Sequence, residues 1–534
     1  MAFLLWQYLK DSARRWPRNP AVAWRSEVLT YGDLDEQSDR LAALLRSAGI
    51  GPGTRVGLYL PKSHRSVVGM LAILKAGAAY VPVDPGAPPK RAAYILDNCG
   101  IRGLVTTGTK AFELSDHFAE LPALALVLLA DDGDVAAPSR VTMRRWSELG
   151  QFPADAPSPD VAVETDPAYL LYTSGSTGTP KGVILTHRNA LTFVDWAADA
   201  FAIGPQDRLS NHAPLHFDLS VFDIYAAIRA GACTVIVPDQ VSPFPVELAR
   251  WIEAERISVW YSVPSALTRL LLHGQLERFA YRSLRTVLFA GEVFPVKYLR
   301  GVMDRFAHAE FANLYGPTET NVCTFYRVPQ PFDPGARDVP IGTACANTEV
   351  FALTEDQRLI GAGEEGDLFV RGPSVTPGYW GLPEKSAQVL LKNPRQNAFA
   401  ETIYRTGDIV RLRGDGEYMF VGRRDHMVKS RGYRIELAEI EQVLYQHEHV
   451  KEAAVVPVPD EEVGARLRAV VTPHAGKTVT AEQLQMHCLT HLPIYMVPES
   501  FTFRPDLPKT STGKTDRLAL LRSLAAGTEE ATTL

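Results

Sequence analysis

The sequence predicts an α/β protein: a large N-terminal part of helix-covered sheets, followed by a small, mobile C-terminal α+β part. Three observations predict it. Helical and strand periodicities alternate through the first four hundred residues, the arrangement that builds parallel sheets covered by helices. The pattern changes after about residue 424 to one helix, two strands and a second helix. A length of 534 residues also exceeds what a single hydrophobic core usually organises. The expected division is therefore 1–424 and 425–534.

The elements follow in order. Residues 1–10 lack a basic leader and soon meet Asp11, Arg14 and Arg15, so they read as an amphipathic first helix and not as a signal peptide. A helix is predicted over Tyr31–Ser47, stopping near Gly49, and then a strand over 55–60. Val67, Val68, Met70, Leu71 and Leu74 mark a buried helical stripe that Gly77 ends before a strand at 79–83. Further strands are predicted at 232–238 and 285–289, and the Asp-, Pro- and Ala-rich stretch 131–166 reads as surface loop. Beyond 424, a helix at 436–447 carries Ile440, Val443 and Leu444 on one face. Strands near 453–458 and 466–472 follow, and Thr480 with Gln483 forms a capping box for the last helix.

Composition excludes several classes. Hydrophobic content of 46% and charged content of 22% are those of a soluble globular protein, and a net charge of −6 gives no reason to expect nucleic acid or an anionic membrane. The longest apolar run, 121–130, is too short to span a bilayer, so a cytoplasmic protein is expected. Five scattered cysteines with no CxxC pair argue against a disulfide framework and against a zinc site.

The most informative segment is 172–182, YTSGSTGTPKG. Glycines let backbone amides approach a polyanion, hydroxyls donate to its oxygens, and Lys181 supplies charge. A P-loop would carry Ser or Thr directly after the lysine, whereas Gly182 follows Lys181. By itself the segment is also compatible with a Gly/Ser surface loop.

Four more segments follow in a fixed order: 313–320 (NLYGPTET), 404–408 (YRTGD), 422–425 (GRRD) and 508–517 (PKTSTGKTDR). Smaller matches lie at 74–84, 366–372 and 492–498. Together they resemble the adenylate-forming superfamily, and within it the amino-acid adenylation domains of nonribosomal peptide synthesis. The likeness covers nearly the whole chain.

The resemblance implies ATP as a substrate and magnesium as its partner ion. It puts Thr173, Ser174, Gly175, Ser176, Thr177, Gly178 and Lys181 around the phosphates. Gly291, Asn313, Tyr315, Gly316 and Thr318 fall at nucleotide positions, with Tyr315 stacking on adenine and Thr318 near the α-phosphate. Glu319, a hard anionic oxygen donor, falls at the magnesium position. Asp408 resembles the carboxylate that receives the ribose hydroxyls, with Arg423 nearby. Lys514 resembles the catalytic cation: attack of one anion on another needs positive charge between them. Asp425 resembles the hinge, and residues 426–436 would line a pantetheine tunnel after rotation, with Met427 where the family usually has glutamine.

Asp218, in HFDLSVFD at 216–223, matches the aspartate that binds the substrate α-ammonium; read alone, it could instead cap a helix. The remaining pocket positions are Leu219, Phe222, Tyr261, Leu288, Ala290, Leu314, Val322 and Cys323. Their chemistry specifies a small hydrophobic amino acid, and the set resembles that of free-standing members that activate L-proline. No carrier-protein serine motif appears before the chain ends about twenty residues after Lys514, so a separate phosphopantetheinylated peptidyl carrier protein is the expected partner. Another small apolar amino acid, or an aryl- or acyl-CoA ligase activity, stands as the alternative.

Overall fold

The computed structural model describes residues 2–154, 162–175, 179–424, 427–509, 515–525 and 532–533. Two large sheets organise the first 350 or so residues. The seven-stranded sheet runs 142–145, 126–129, 103–106, 55–59, 79–82, 167–173, 181–186, parallel except for its last pair. The nine-stranded sheet has a parallel centre built on 286–290, 259–262, 208–211 and 233–236, with antiparallel strands at both edges. The predicted parallel sheets are therefore present, and hairpins close them.

Local chemistry explains the boundaries. Thr30 caps the helix Tyr31–Ser47 by accepting from the Asp33 amide while the Asp33 carboxylate receives the Thr30 amide. The helix His64–Lys75 buries its stripe because Ser63 caps it and Gly77, at φ 83°, reverses the chain behind it. This helix packs on Tyr31–Ser47, and one hydrophobic core joins both to the sheets.

One expectation needs correction. The stretch 131–166 holds the strand Thr142–Arg145 and a 3₁₀ turn at Trp146–Gln151, while 155–161 lies outside the described residues. The strand has no alternating pattern; its pairing comes from the parallel neighbour Leu126–Leu129.

An antiparallel sheet follows, built on Glu349–Leu353, Glu365–Arg371 and Thr402–Leu412, with Tyr418–Arg423 paired to the last. Next comes the hairpin Met427–Ser430/Tyr433–Glu436, then the helix Leu437–Tyr445, long strands Val450–Asp460 and Gly464–Pro473, and the helix Ala481–Leu489 capped by Thr480. These last elements share a separate apolar core around Ile440, Leu444, Ala469 and Leu484. No helix among the described residues is long and apolar enough to cross a membrane.

Candidate functional site

Strand ends from all the large sheets converge on the hairpin 427–436. Strand Pro167–Thr173 pairs with Lys181–Thr186 so that Thr173 faces Lys181 in register, which fixes both ends of the segment singled out in the sequence. Ser174 donates to the Arg434 carbonyl at 2.7 Å and accepts from the Glu436 amide at 3.1 Å. The Gly175 amide donates to Glu439 at 3.2 Å, and Glu439 is paired with Arg91. A Cβ at Gly175 would lie 2.1 Å from the Thr179 carbonyl oxygen, so only glycine permits this turn. Ser176, Thr177 and Gly178 lie outside the described residues.

Glu319 is fully buried, and all its neighbours are donors. Arg434 approaches its two oxygens at 3.0 and 3.3 Å, the Tyr379 hydroxyl donates at 2.7 Å, and Lys181 stands 3.5 Å away. Burial alone would raise the carboxyl, but Arg434 and Lys181 outweigh it and hold it well below the usual range. An ionised carboxylate of this kind suits magnesium, yet here both oxygens are occupied by side chains. A divalent cation on these oxygens would have to displace the Arg434 guanidinium.

The nucleotide positions gather around Asp408. Antiparallel pairing sets Asp408 opposite Arg423, whose guanidinium donates to it at 2.5 Å; the Tyr315 hydroxyl donates to its other oxygen. The Tyr315 ring packs with Ile341 and Val410, while Asn313 spends its amide on the Pro340 carbonyl at 2.8 Å. Gly291 takes φ 94° at the end of strand Thr286–Ala290.

Asp218 stands at the N-cap of the short helix Leu219–Val221, without a side-chain capping bond. It lines a cavity of about 100 Å³ with Thr318, Tyr261, Ala290, Val322 and Leu219. Burial raises its carboxyl above the ordinary value, partly offset by the Thr318 hydroxyl and the Lys429 charge. Phe222, Leu288, Leu314 and Cys323 are wholly buried behind this lining, with Phe222 edge-on to Tyr261 at 5.5 Å, so they shape the cavity from outside it.

The hairpin supplies charges that the sequence reading did not assign. Lys429 lines the same cavity and is pushed down by burial, against the pull of Asp408. Arg434, expected only as part of the tunnel segment 426–436, had no role of its own; Tyr379 and Glu292 were unassigned, and Glu292 accepts from the Ser265 amide at 2.9 Å and from the Gly432 amide at 2.5 Å. The only signal was the density of cations in 427–434. Asp425 and Lys514 lie outside the described residues.

A larger cavity of about 730 Å³ adjoins the first: His216, Phe217, Leu219 and Tyr433 line both. Gly432 sits where they meet, at φ 83°, and a Cβ there would come within 2.5 Å of Val263. A side chain at Gly432 is therefore expected to oppose this arrangement.

Three comparisons bear on this geometry. A family model described as AMP-binding enzyme matches residues 9–380, and one described as AMP-binding enzyme C-terminal domain matches 439–514. A Pseudomonas fluorescens protein named L-proline–[L-prolyl-carrier protein] ligase is 40% identical over 98% of this chain and 99% of its own length. A Streptomyces coelicolor protein of the same name is 38% identical over 95% and 94%. Among solved structures, an amide bond synthetase from Marinactinospora thermotolerans superposes with a TM-score of 0.85 at 25% identity, covering 97% of this chain and 99% of the other.

Proposed function

This chain belongs to the AMP-binding enzyme family, and from that premise we propose that it activates L-proline with ATP and passes the prolyl group to a carrier-protein thiol. The observation that carries the reading is a carboxylate, Asp218, that lines the same small cavity as Thr173, Ser174, Asp408 and Arg423, between Leu219, Tyr261, Ala290 and Val322. A buried anion is costly unless a cation meets it, and the imino group of proline is such a cation. The named relatives support proline over other small amino acids.

In the first step a carboxylate oxygen of proline attacks the α-phosphorus and the bond to pyrophosphate breaks, giving prolyl-AMP. Asp218 holds the imino nitrogen, Tyr315 and Asp408 hold adenosine, and Lys181 with Thr173, Ser174 and the loop amides meets the phosphates. Lys514 bridges the attacking carboxylate and the phosphate oxygens. Magnesium, held by Glu319 once Arg434 withdraws, would neutralise phosphate charge.

In the second step a thiol attacks the prolyl carbonyl and AMP leaves. The larger cavity is the route for a phosphopantetheine arm, and Gly432 permits its approach to the smaller one. We divide the chain into 1–424, which binds ATP and amino acid, and 425–534, which carries Lys514 and pivots at Asp425. We assign the pairing of Arg434 with Glu319 to the thiol-transfer arrangement; with Arg434 withdrawn, Glu319 would hold magnesium.

The test is ATP–pyrophosphate exchange across L-proline, D-proline, pipecolate, valine, alanine, and aryl and fatty acids. L-Proline should support the fastest exchange, and chelation of magnesium should abolish it. Turnover with aryl or fatty acids and none with amino acids would reject the reading.

A further inference from the structure

Glu439 belongs to the helix Leu437–Tyr445, yet its carboxylate meets the glycine-rich segment that begins at Tyr172. Its side chain is enclosed, at 1% exposure, so the charge is stable there only with partners. It has two. The Arg91 guanidinium donates to Oε1 at 2.5 Å, and the Gly175 amide donates to Oε2 at 3.2 Å. Arg91 comes from the helix Pro89–Asn98 and had no role in the sequence reading. It lines the cavity that Thr173, Ser174 and Asp218 also line, and 12% of its side chain is exposed. A guanidinium and a glycine-loop amide that converge on one carboxylate form an anion niche, here filled by the chain itself. Ser174 repeats the pattern one residue earlier: its hydroxyl is spent on the Arg434 carbonyl and the Glu436 amide.

The function proposed above puts the ATP phosphates against Ser174 and the loop amides, and moves residues 425–534 between the two steps. A rotation that carries the helix Leu437–Tyr445 away takes Glu439 with it. Arg91 and the Gly175 amide are then left facing the phosphates. We propose that Arg91 changes partner between the half-reactions: it binds a phosphate oxygen of ATP during adenylation and Glu439 during thiol transfer. Glu439 is accordingly a positioning residue for the second step. The carboxylate and a phosphate use the same two donors, so departure of pyrophosphate frees the niche for Glu439. The proposal rests on the two-step reading above and adds to it an exchange of anions at one guanidinium.

Glu439→Gln keeps the shape and loses the charge; Arg91→Met keeps most of the length and loses the charge, while Arg91→Lys retains it. Adenylation is read by proline-dependent ATP–pyrophosphate exchange, and transfer by single turnover of supplied prolyl-AMP with free phosphopantetheine as the thiol. Arg91→Met should raise the KM for ATP about ten- to a hundredfold, the loss of one charge-assisted contact to phosphate. Arg91→Lys should recover most of that loss. Glu439→Gln should leave the KM for ATP within about twofold. Transfer should slow about tenfold or more in both Arg91→Met and Glu439→Gln. The double variant should be no slower than the worse single one, because either change alone breaks the pair. The proposal is overturned by a KM for ATP that Arg91→Met does not move, by an Arg91→Lys protein no better than Arg91→Met, or by equal losses in both half-reactions with Glu439→Gln. Absence of any amino-acid-dependent exchange in the unaltered protein would instead reject the underlying function, before a variant is assayed.

Discussion

Asp218→Ala should abolish proline-dependent exchange, with the KM for ATP unchanged. Removing one partner of a buried ion pair costs about 3–5 kcal/mol, which is roughly a hundred- to several-thousandfold in kcat/KM. The nucleotide residues sit on other elements: Asp408 and Arg423 on paired strands, Lys181 on a third. They should not register the change. Asp218→Asn should be nearly as damaging, since it keeps the volume and loses the charge. The pH dependence has a defined sign. Burial raises the Asp218 carboxyl, so in the free enzyme it takes up a proton at higher pH than an exposed aspartate would. Proline affinity should therefore be lost as pH falls, starting above the ordinary carboxylate range, and the loss should be absent from the KM for ATP.

Lys514→Ala should lower adenylate formation by about a hundred- to a thousandfold, the usual cost of removing one group aimed at developing charge in a transition state. Transfer from supplied prolyl-AMP to a carrier thiol should fall by less than about threefold, because that step is assigned to the arrangement in which Lys429, Gly432 and Arg434 meet the cavity. Single-turnover measurement of each half-reaction separates the two steps. Equal losses in both would show that the lysine serves binding or stability and not the first chemical step.

Much of the fold was legible because local chemistry and tertiary packing agree. The helix Tyr31–Ser47 declares itself by its capping box, and the one beginning after Thr480 does so as well. Thr142–Arg145 was not legible: its residues carry no alternation, and only the neighbouring strand makes it one. The antiparallel sheet at 349–423 was not anticipated either, although Asp415-Gly416, between its paired strands Thr402–Leu412 and Tyr418–Arg423, is a hairpin turn signal.

At the site, the segments with special backbone needs were readable. The turn at Gly316 tolerates no side chain, since a Cβ would lie 1.6 Å from the Asn321 carbonyl oxygen. What the sequence does not reveal is which charge meets which. Arg434 and Glu319 are 115 residues apart in sequence and meet only through the tertiary fold.

A crystal structure with a non-hydrolysable prolyl-adenylate analogue tests the account most directly. It should show the pyrrolidine nitrogen bonded to the Asp218 carboxylate, with the ribose hydroxyls on Asp408. A prolyl group lying outside the cavity, with Asp218 making no contact to it, would contradict the account.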